Sequence, residues 1–142
     1  MNTMKTQHWI KLAYFVARMA HKGQMRRDGV TPYFYHPLAV SNALPDRLKP
    51  IALLHDVVED TDVTQADLEY LDFPKYILDA VDLLTRKKVD NYTQYLNKIR
   101  HNPDALAVKF ADIDHNLNDD PTQKQRNKYL SALTILKIKD KL

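Results

Sequence analysis

Cysteine is absent from this sequence. That removes disulfides, thiolate zinc sites and thiol nucleophiles together, and it fits a reducing compartment. Glycine is nearly absent: Gly23 and Gly29 are the only two. Neither a GxGxxG pattern nor a Walker loop can be written with them, so a glycine-rich phosphate cradle is excluded. A β-rich fold full of tight turns is disfavoured for the same reason. Long apolar runs are missing too, and no stretch approaches the roughly 20 apolar residues of a membrane span. The N-terminal segment MNTMKTQHWIKLAYFVARMA is interrupted by Lys11 and Arg18, leaving Leu12 to Ala17 as its longest apolar run. No signal peptide is expected. These absences point to a soluble cytoplasmic protein with no membrane partner.

Nor is there a dense block of one charge. The net charge is +3 and the sequence pI about 9.0, but Lys and Arg are scattered. The densest basic segment, KIKDKL at the C-terminus, reads as a solvated helix end. A nucleic-acid partner is therefore not expected, whereas a mild positive field suits a small polyanionic substrate. A chain of 142 residues suggests one domain, long enough to bury about two thirds of its unfolded surface. Composition fixes no oligomeric state.

What is present is helical periodicity. A first helix is expected from about Thr6 to Lys22, followed by the loop GQMRRDGVTPYF. Pro37 suits the first turn of a second helix reaching Leu44. A third begins near Pro50 and contains LLHDVVEDT. Thr64 is a candidate N-cap with Asp67 early in its helix. Pro74 opens a longer helix through KYILDAVDLLT, Asn91 caps YTQYLNKIRH, and Asn102-Pro103 enters NPDALAVKFADIDHNL. The last helix runs from about Thr122 to Lys139. The fold class expected is all-α, eight or so helices in one compact single-domain bundle.

The stretch LLHDVVEDT places His55, Asp56, Glu59 and Asp60 within six positions. On one continuous helix at about 100° per residue, these four fall on one side and Leu53, Leu54, Val57 and Val58 on the other. A solvated amphipathic face is the plain reading. Two costs oppose it. Asp56 faces both Glu59 and Asp60 at repelling spacings, and the acids gather at the helix C-terminus, where the macrodipole disfavours anions. Each is worth up to about 1 kcal/mol, with no Lys or Arg in the stretch to offset it. A bound divalent cation reverses the sign. Imidazole beside carboxylate suits Mn, Fe or Zn, and further ligands must come from elsewhere. His36, at the mouth of the second helix, and Asp112, among Val108, Phe110 and Ala111, complete a His, His-Asp, Asp set. Taken singly, His36 reads equally as a capping histidine and Asp112 as an ion-pair partner.

Three segments, AHKGQMRRDGVTPYFYHPLAV, ALLHDVVEDT and AVKFADIDHN, resemble the hydrolase domain of the RelA/SpoT family, a branch of the HD-domain metal-dependent phosphohydrolases. The likeness spans roughly residues 9 to 118, with several motifs in order. With no synthetase or regulatory region following, it is closest to the stand-alone small alarmone hydrolases. The resemblance implies an HD-type fold holding one Mn²⁺, with other divalent transition metals admitted by the ligand set. It implies removal of the 3′-pyrophosphate of the nucleotides ppGpp and pppGpp. By the same likeness the metal ligands fall on His36, His55, Asp56 and Asp112, and the catalytic acidic pair on Glu59 and Asp60. Arg26 falls where the family packs an arginine on guanine, and Asn116 where an asparagine contacts the nucleoside.

The chain also departs from the family. The loop between Arg26 and Pro32 is one residue longer than the usual pattern. Ile113 stands where the family often has Arg, and Asp119 where it often has Thr. These changes spare the metal set and touch the nucleotide pocket. They motivate a second reading, hydrolysis of another nucleotide such as NADPH or a nucleoside phosphate; a third is a non-catalytic nucleotide-binding module. Arg26, Arg27 and Lys22 are the candidate phosphate ligands, although Arg27 and Lys22 read first as solvated surface charge. His21 is expected to tie the loop, and His115 to support the metal ligands or pack. Tyr33, Tyr92, Tyr95 and Tyr129 are expected in core or interface packing rather than stacked on a base.

Overall fold

The computed structural model describes residues 3–139. Nine α-helices occur among them: α1 Thr3–Ala20, α2 Tyr35–Asn42, α3 Lys49–Leu54, α4 Val57–Asp60, α5 Gln65–Tyr70, α6 Lys75–Leu84, α7 Tyr92–Ile99, α8 Pro103–Leu117 and α9 Gln123–Leu136. A 3₁₀ turn, Asp46–Leu48, leads into α3. The described residues contain no strand, only an isolated bridge between Met25 and Pro32. The fold is all-α, as expected.

Several helix starts are where local chemistry places them. Thr64 accepts the Asp67 N–H while the Asp67 carboxylate accepts the Thr64 N–H, a reciprocal capping box. Asn91 with Gln94 and Thr122 with Gln125 repeat the device. The Asn102 side chain accepts from both Asp104 N–H and Ala105 N–H at 3.0 Å, and Pro103 follows at the position where a missing N–H costs nothing.

The core is built around α3, in which every residue from Pro50 to Leu54 is buried. A helix apolar on all sides must lie inside a bundle; α3 packs on α1, α2, α6 and α8. This short buried helix ends directly before His55 and Asp56.

The expected third helix is not continuous. α3 stops at Leu54 and α4 starts at Val57. The His55 N–H reaches back three residues to the Ala52 C=O at 3.4 Å, and Asp56 sits at φ −107°, ψ −1°. The turn is tighter than an α-helix, so the single helical wheel drawn for residues 53–60 does not describe it. The cause is side-chain chemistry: the His55 ring hydrogen-bonds the same Ala52 C=O, and that ring is held by the centre described below. α1 starts earlier than expected, at Thr3, and ends at Ala20. α9 ends at Leu136, so Lys137 to Lys139 lie beyond the helix. The rest of the basic tail, residues 140–142, lies outside the described residues.

Replacing Asn102 with Ala removes two bonds to orphan helix N–H groups and is expected to destabilise the fold by about 1 kcal/mol. Equilibrium denaturation measures this, with unchanged stability as the contrary result.

Candidate active site

The break between α3 and α4 builds the centre. His55 donates through Nδ1 to the Ala52 C=O at 2.5 Å, which fixes the tautomer and turns Nε2 inward. α2 supplies His36, whose Nδ1 lies 2.8 Å from Nδ1 of His115. α8 supplies Asp112, with Oδ1 2.8 Å from His36 Nε2 and 3.3 Å from His55 Nε2. Ligand atoms of His36, His55 and Asp112 all lie within 4.8 Å of one another. Asp56 joins them from the turn, its Oδ2 3.0 Å from His55 Nε2 and 3.9 Å from His36 Nε2. Three of the four are buried, and Asp56 is half-buried.

Burial pushes His55 toward the neutral form, but the Asp56 and Asp112 carboxylates outweigh it and hold its pKa well above the usual imidazole range. Burial also disfavours both carboxylates as anions. His55 nevertheless brings Asp56 down to about 2, and Lys109, with His36 and His55, holds Asp112 well below the carboxylate range. The groups jointly demand positive charge at their centre. Donors bound to one cation at about 2.0–2.2 Å sit roughly 3 Å apart, the spacing found between several of these atoms. The buried His36, His55 and Asp112 group is consistent with a divalent metal site.

Two supporting residues escaped the sequence reading. Lys109 is buried and places Nζ 2.9 Å from Asp112 Oδ2, leaving Oδ1 to face the histidines. Its only signal was an i, i+3 spacing to Asp112 within an apolar segment. Tyr33, expected in packing, donates its hydroxyl to Asp56 Oδ2 at 2.5 Å. Burial and the Asp56 charge push the phenol pKa up, so it stays a donor. His115, expected to support a ligand or pack, lies against His36. His21 ties the loop, with Nδ1 2.8 Å from Gln24 Oε1.

A cavity of about 290 Å³ opens on the centre; its lining includes Asp56, Glu59, Asp112 and Asn116 together with Arg26 and Arg27. Glu59 Oε1 accepts the Arg86 backbone N–H at 2.6 Å. Asp60 lies beside the cavity rather than in its lining; its C=O accepts from Gln24 Nε2 at 2.9 Å. Burial, then the Asp56 and Glu59 charges, raise its carboxyl to about 6. Arg26 donates through Nε and Nη2 to Asp119, and Nη2 approaches Asn116 Oδ1 at 3.4 Å. Arg27 donates to the Asp119 C=O at 2.5 Å. Asp119 thus fastens the loop after α1 to the end of α8. Lys22 is placed elsewhere, in a neighbouring groove with Phe15 and Met19. Tyr92, Tyr95 and Tyr129 do line the cavity; Tyr95 is also core, its hydroxyl donating to the Leu84 C=O at 2.9 Å.

No protein-family model matches the chain. Individual proteins do. The bifunctional (p)ppGpp synthase/hydrolase SpoT of Escherichia coli K12 is 32% identical over 124 residues, covering 76% of this chain and 17% of that protein. A guanosine-3′,5′-bis(diphosphate) 3′-pyrophosphohydrolase of Vibrio cholerae is 42% identical over 106 residues, covering 71% and 14%. A probable GTP pyrophosphokinase of Mycobacterium leprae is 33% identical over 143 residues, covering 89% and 18%. The chain spans less than a fifth of the length of these relatives. Among solved structures, that of a metazoan ortholog of SpoT, described as hydrolysing ppGpp and playing a role in starvation responses, superposes with a TM-score of 0.75 at 28% identity. It covers 90% of this chain and 83% of that one.

A divalent cation at a hundred times its Kd is expected to stabilise the fold by about 2.7 kcal/mol, and Asp112→Ala to abolish the gain. Denaturation with and without Mn²⁺ measures both; an equal gain in the variant puts the cation elsewhere.

Proposed function

Because this chain belongs to the RelA/SpoT family of HD-domain hydrolases, we propose that it removes the 3′-pyrophosphate of ppGpp and pppGpp, giving GDP or GTP and pyrophosphate. The observation that carries the reading is the convergence of His36, His55, Asp56 and Asp112, three of which (His36, Asp56 and Asp112) line a cavity that also holds Glu59 and a set of cationic side chains. We assign these four as ligands of one Mn²⁺, a set that also admits Fe²⁺ or Zn²⁺. When bound, such a cation polarises a phosphate oxygen and lowers the pKa of water. A cytoplasmic location belongs to the same proposal; no helix among the described residues is long and apolar enough to cross a membrane.

The chain's own groups divide the remaining work. Glu59 and Asp60 orient the attacking water and accept its proton. Glu59 is held in place by the Arg86 backbone N–H, which occupies one of its two carboxylate oxygens. Tyr33 holds Asp56 by its hydroxyl, and Lys109 holds Asp112. Arg26, braced by Asp119 and Asn116, presents its guanidinium to the base, with Asn116 toward the nucleoside. Arg27 is available to a phosphate, whereas Lys22, in the neighbouring groove, has no role in this reading. The Arg26–Asp119 pair also favours the second reading, another nucleotide as substrate, because it engages the arginine assigned to guanine.

Incubation with ppGpp and Mn²⁺ is expected to release pyrophosphate, with none from Asp56→Ala or after chelation. Intact ppGpp, with another nucleotide consumed from a panel, would move the assignment to the second reading.

Asp60 provides a separate check. Its folded pKa, about 6, lies above the ordinary 3.8, so folding favours its protonated form. Stability from this group is fullest below pH 3.8 and is lost as pH rises to about 6. Asp60→Asn is therefore expected to stabilise the fold at pH 7 by no more than about 1 kcal/mol, after discounting for its exposed position. Little gain is expected at pH 4, and turnover should fall. Denaturation at the two pH values measures the difference; equal effects would remove Asp60 as a strained carboxylate.

A further inference from the structure

Two cations on the cavity wall have no assigned task. Arg86 follows α6 and Lys128 lies on α9, and both line the cavity. They converge on one ring: the Arg86 guanidinium carbon is 5.6 Å from the Tyr92 centroid and Lys128 Nζ is 4.8 Å from it. Lys128 Nζ also lies 5.8 Å from the Tyr129 centroid. Neither cation makes an ion pair among the described residues. The Arg86 side chain donates only from Nε to the Asp90 C=O, at 3.4 Å. Two other cations of the lining are neutralised, Arg26 by Asp119 and Lys109 by Asp112.

The charge balance of the cavity is lopsided. Five cationic residues, Arg26, Arg27, Arg86, Lys109 and Lys128, face three carboxylates, Asp56, Glu59 and Asp112. Both Arg86 and Lys128 are exposed, and the ordinary reading is solvated surface charge. Each contact with the ring is favourable, but the two like charges repel each other. Burial, then the Lys109 and Arg86 charges, pull the Lys128 pKa down, so its surroundings disfavour its charge. An anion between the two removes that cost.

We propose that Arg86 and Lys128, bridged by Tyr92, form a phosphate subsite for a diphosphate group of the nucleotide. The planar guanidinium suits two phosphate oxygens at once, and the ammonium adds a mobile point charge. Two sources share this chemistry, the 5′-diphosphate and the outer part of the 3′ leaving group. The identity of the ligand rests on the pyrophosphohydrolase reading; the subsite itself does not.

The test is calorimetric binding to the full chain with chelator present, so that turnover plays no part. The ligands are GDP alone, and inorganic pyrophosphate in the presence of saturating GDP. Lys128→Gln and Arg86→Gln are each expected to weaken binding about tenfold, the loss of one charge-assisted hydrogen bond. Lys128→Arg is expected to retain it. Lys124→Gln, on the same helix outside the lining, serves as control. Weakened GDP binding assigns the subsite to the 5′ group; weakened pyrophosphate binding with GDP unchanged assigns it to the 3′ group. Affinities unchanged for both ligands would overturn the subsite. A wild type that binds these ligands and hydrolyses no ppGpp would instead overturn the reaction while leaving the subsite standing.

Discussion

Gathering two carboxylates and two imidazoles, three of the four buried, around one point is the constraint on which the rest of this structure depends. An isolated buried carboxylate is too costly to keep, and two of them together repel. The chain offsets part of this with its own donors. Lys109 takes the outer oxygen of Asp112, Tyr33 takes Asp56, and the Ala52 carbonyl takes the spare nitrogen hydrogen of His55. The Lys109 and Ala52 contacts leave Asp112 Oδ1 and His55 Nε2 facing the centre, whereas Tyr33 bonds the same Asp56 oxygen, Oδ2, that faces it. The pKa directions tell the same story: His55 is drawn toward its charged form despite burial, because the two carboxylates require positive charge beside them. A cation placed among these atoms meets that requirement from the centre outward.

The fold serves this arrangement through three separate segments. α2 carries His36, the turn after α3 carries His55 and Asp56, and α8 carries Asp112, Lys109, His115 and Asn116. The buried α3 lies against both of the others and packs the three segments together. The capping of α8 by Asn102 sets the register from which Lys109 and Asp112 fall on one face, and the two residues meet. The Arg26–Asp119 contact then fastens the loop after α1 over the end of α8, and Arg26 lines the cavity.

Local features were legible in the sequence and tertiary ones were not. Thr64, Asn91, Asn102 and Pro103 act within four residues of themselves, so reading them needed no fold. The buried group of His36, His55 and Asp112 could be picked out because imidazoles and carboxylates at helix ends carry a recognisable chemistry, and the family likeness ordered them. The break at His55 was hidden because apolar periodicity runs through it, and only the ring's bond to Ala52 shows why the helix tightens. Tyr33 bonds a carboxylate 23 residues away, and Arg26 bonds one 93 residues away. No spacing rule connects such pairs. Asp119 stood out as a departure from the family, but its role as the partner of Arg26 came only from the structure. Lys22 shows the converse, a charge close to Arg26 in the chain that faces a different groove.

The most direct test is anomalous X-ray scattering from crystals grown with Mn²⁺. One strong peak is expected within about 2.5 Å of His36 Nε2, His55 Nε2, Asp56 Oδ2 and Asp112 Oδ1 together. A fully ordered site without a peak at saturating Mn²⁺, or a peak touching only surface carboxylates, would contradict the account at its root.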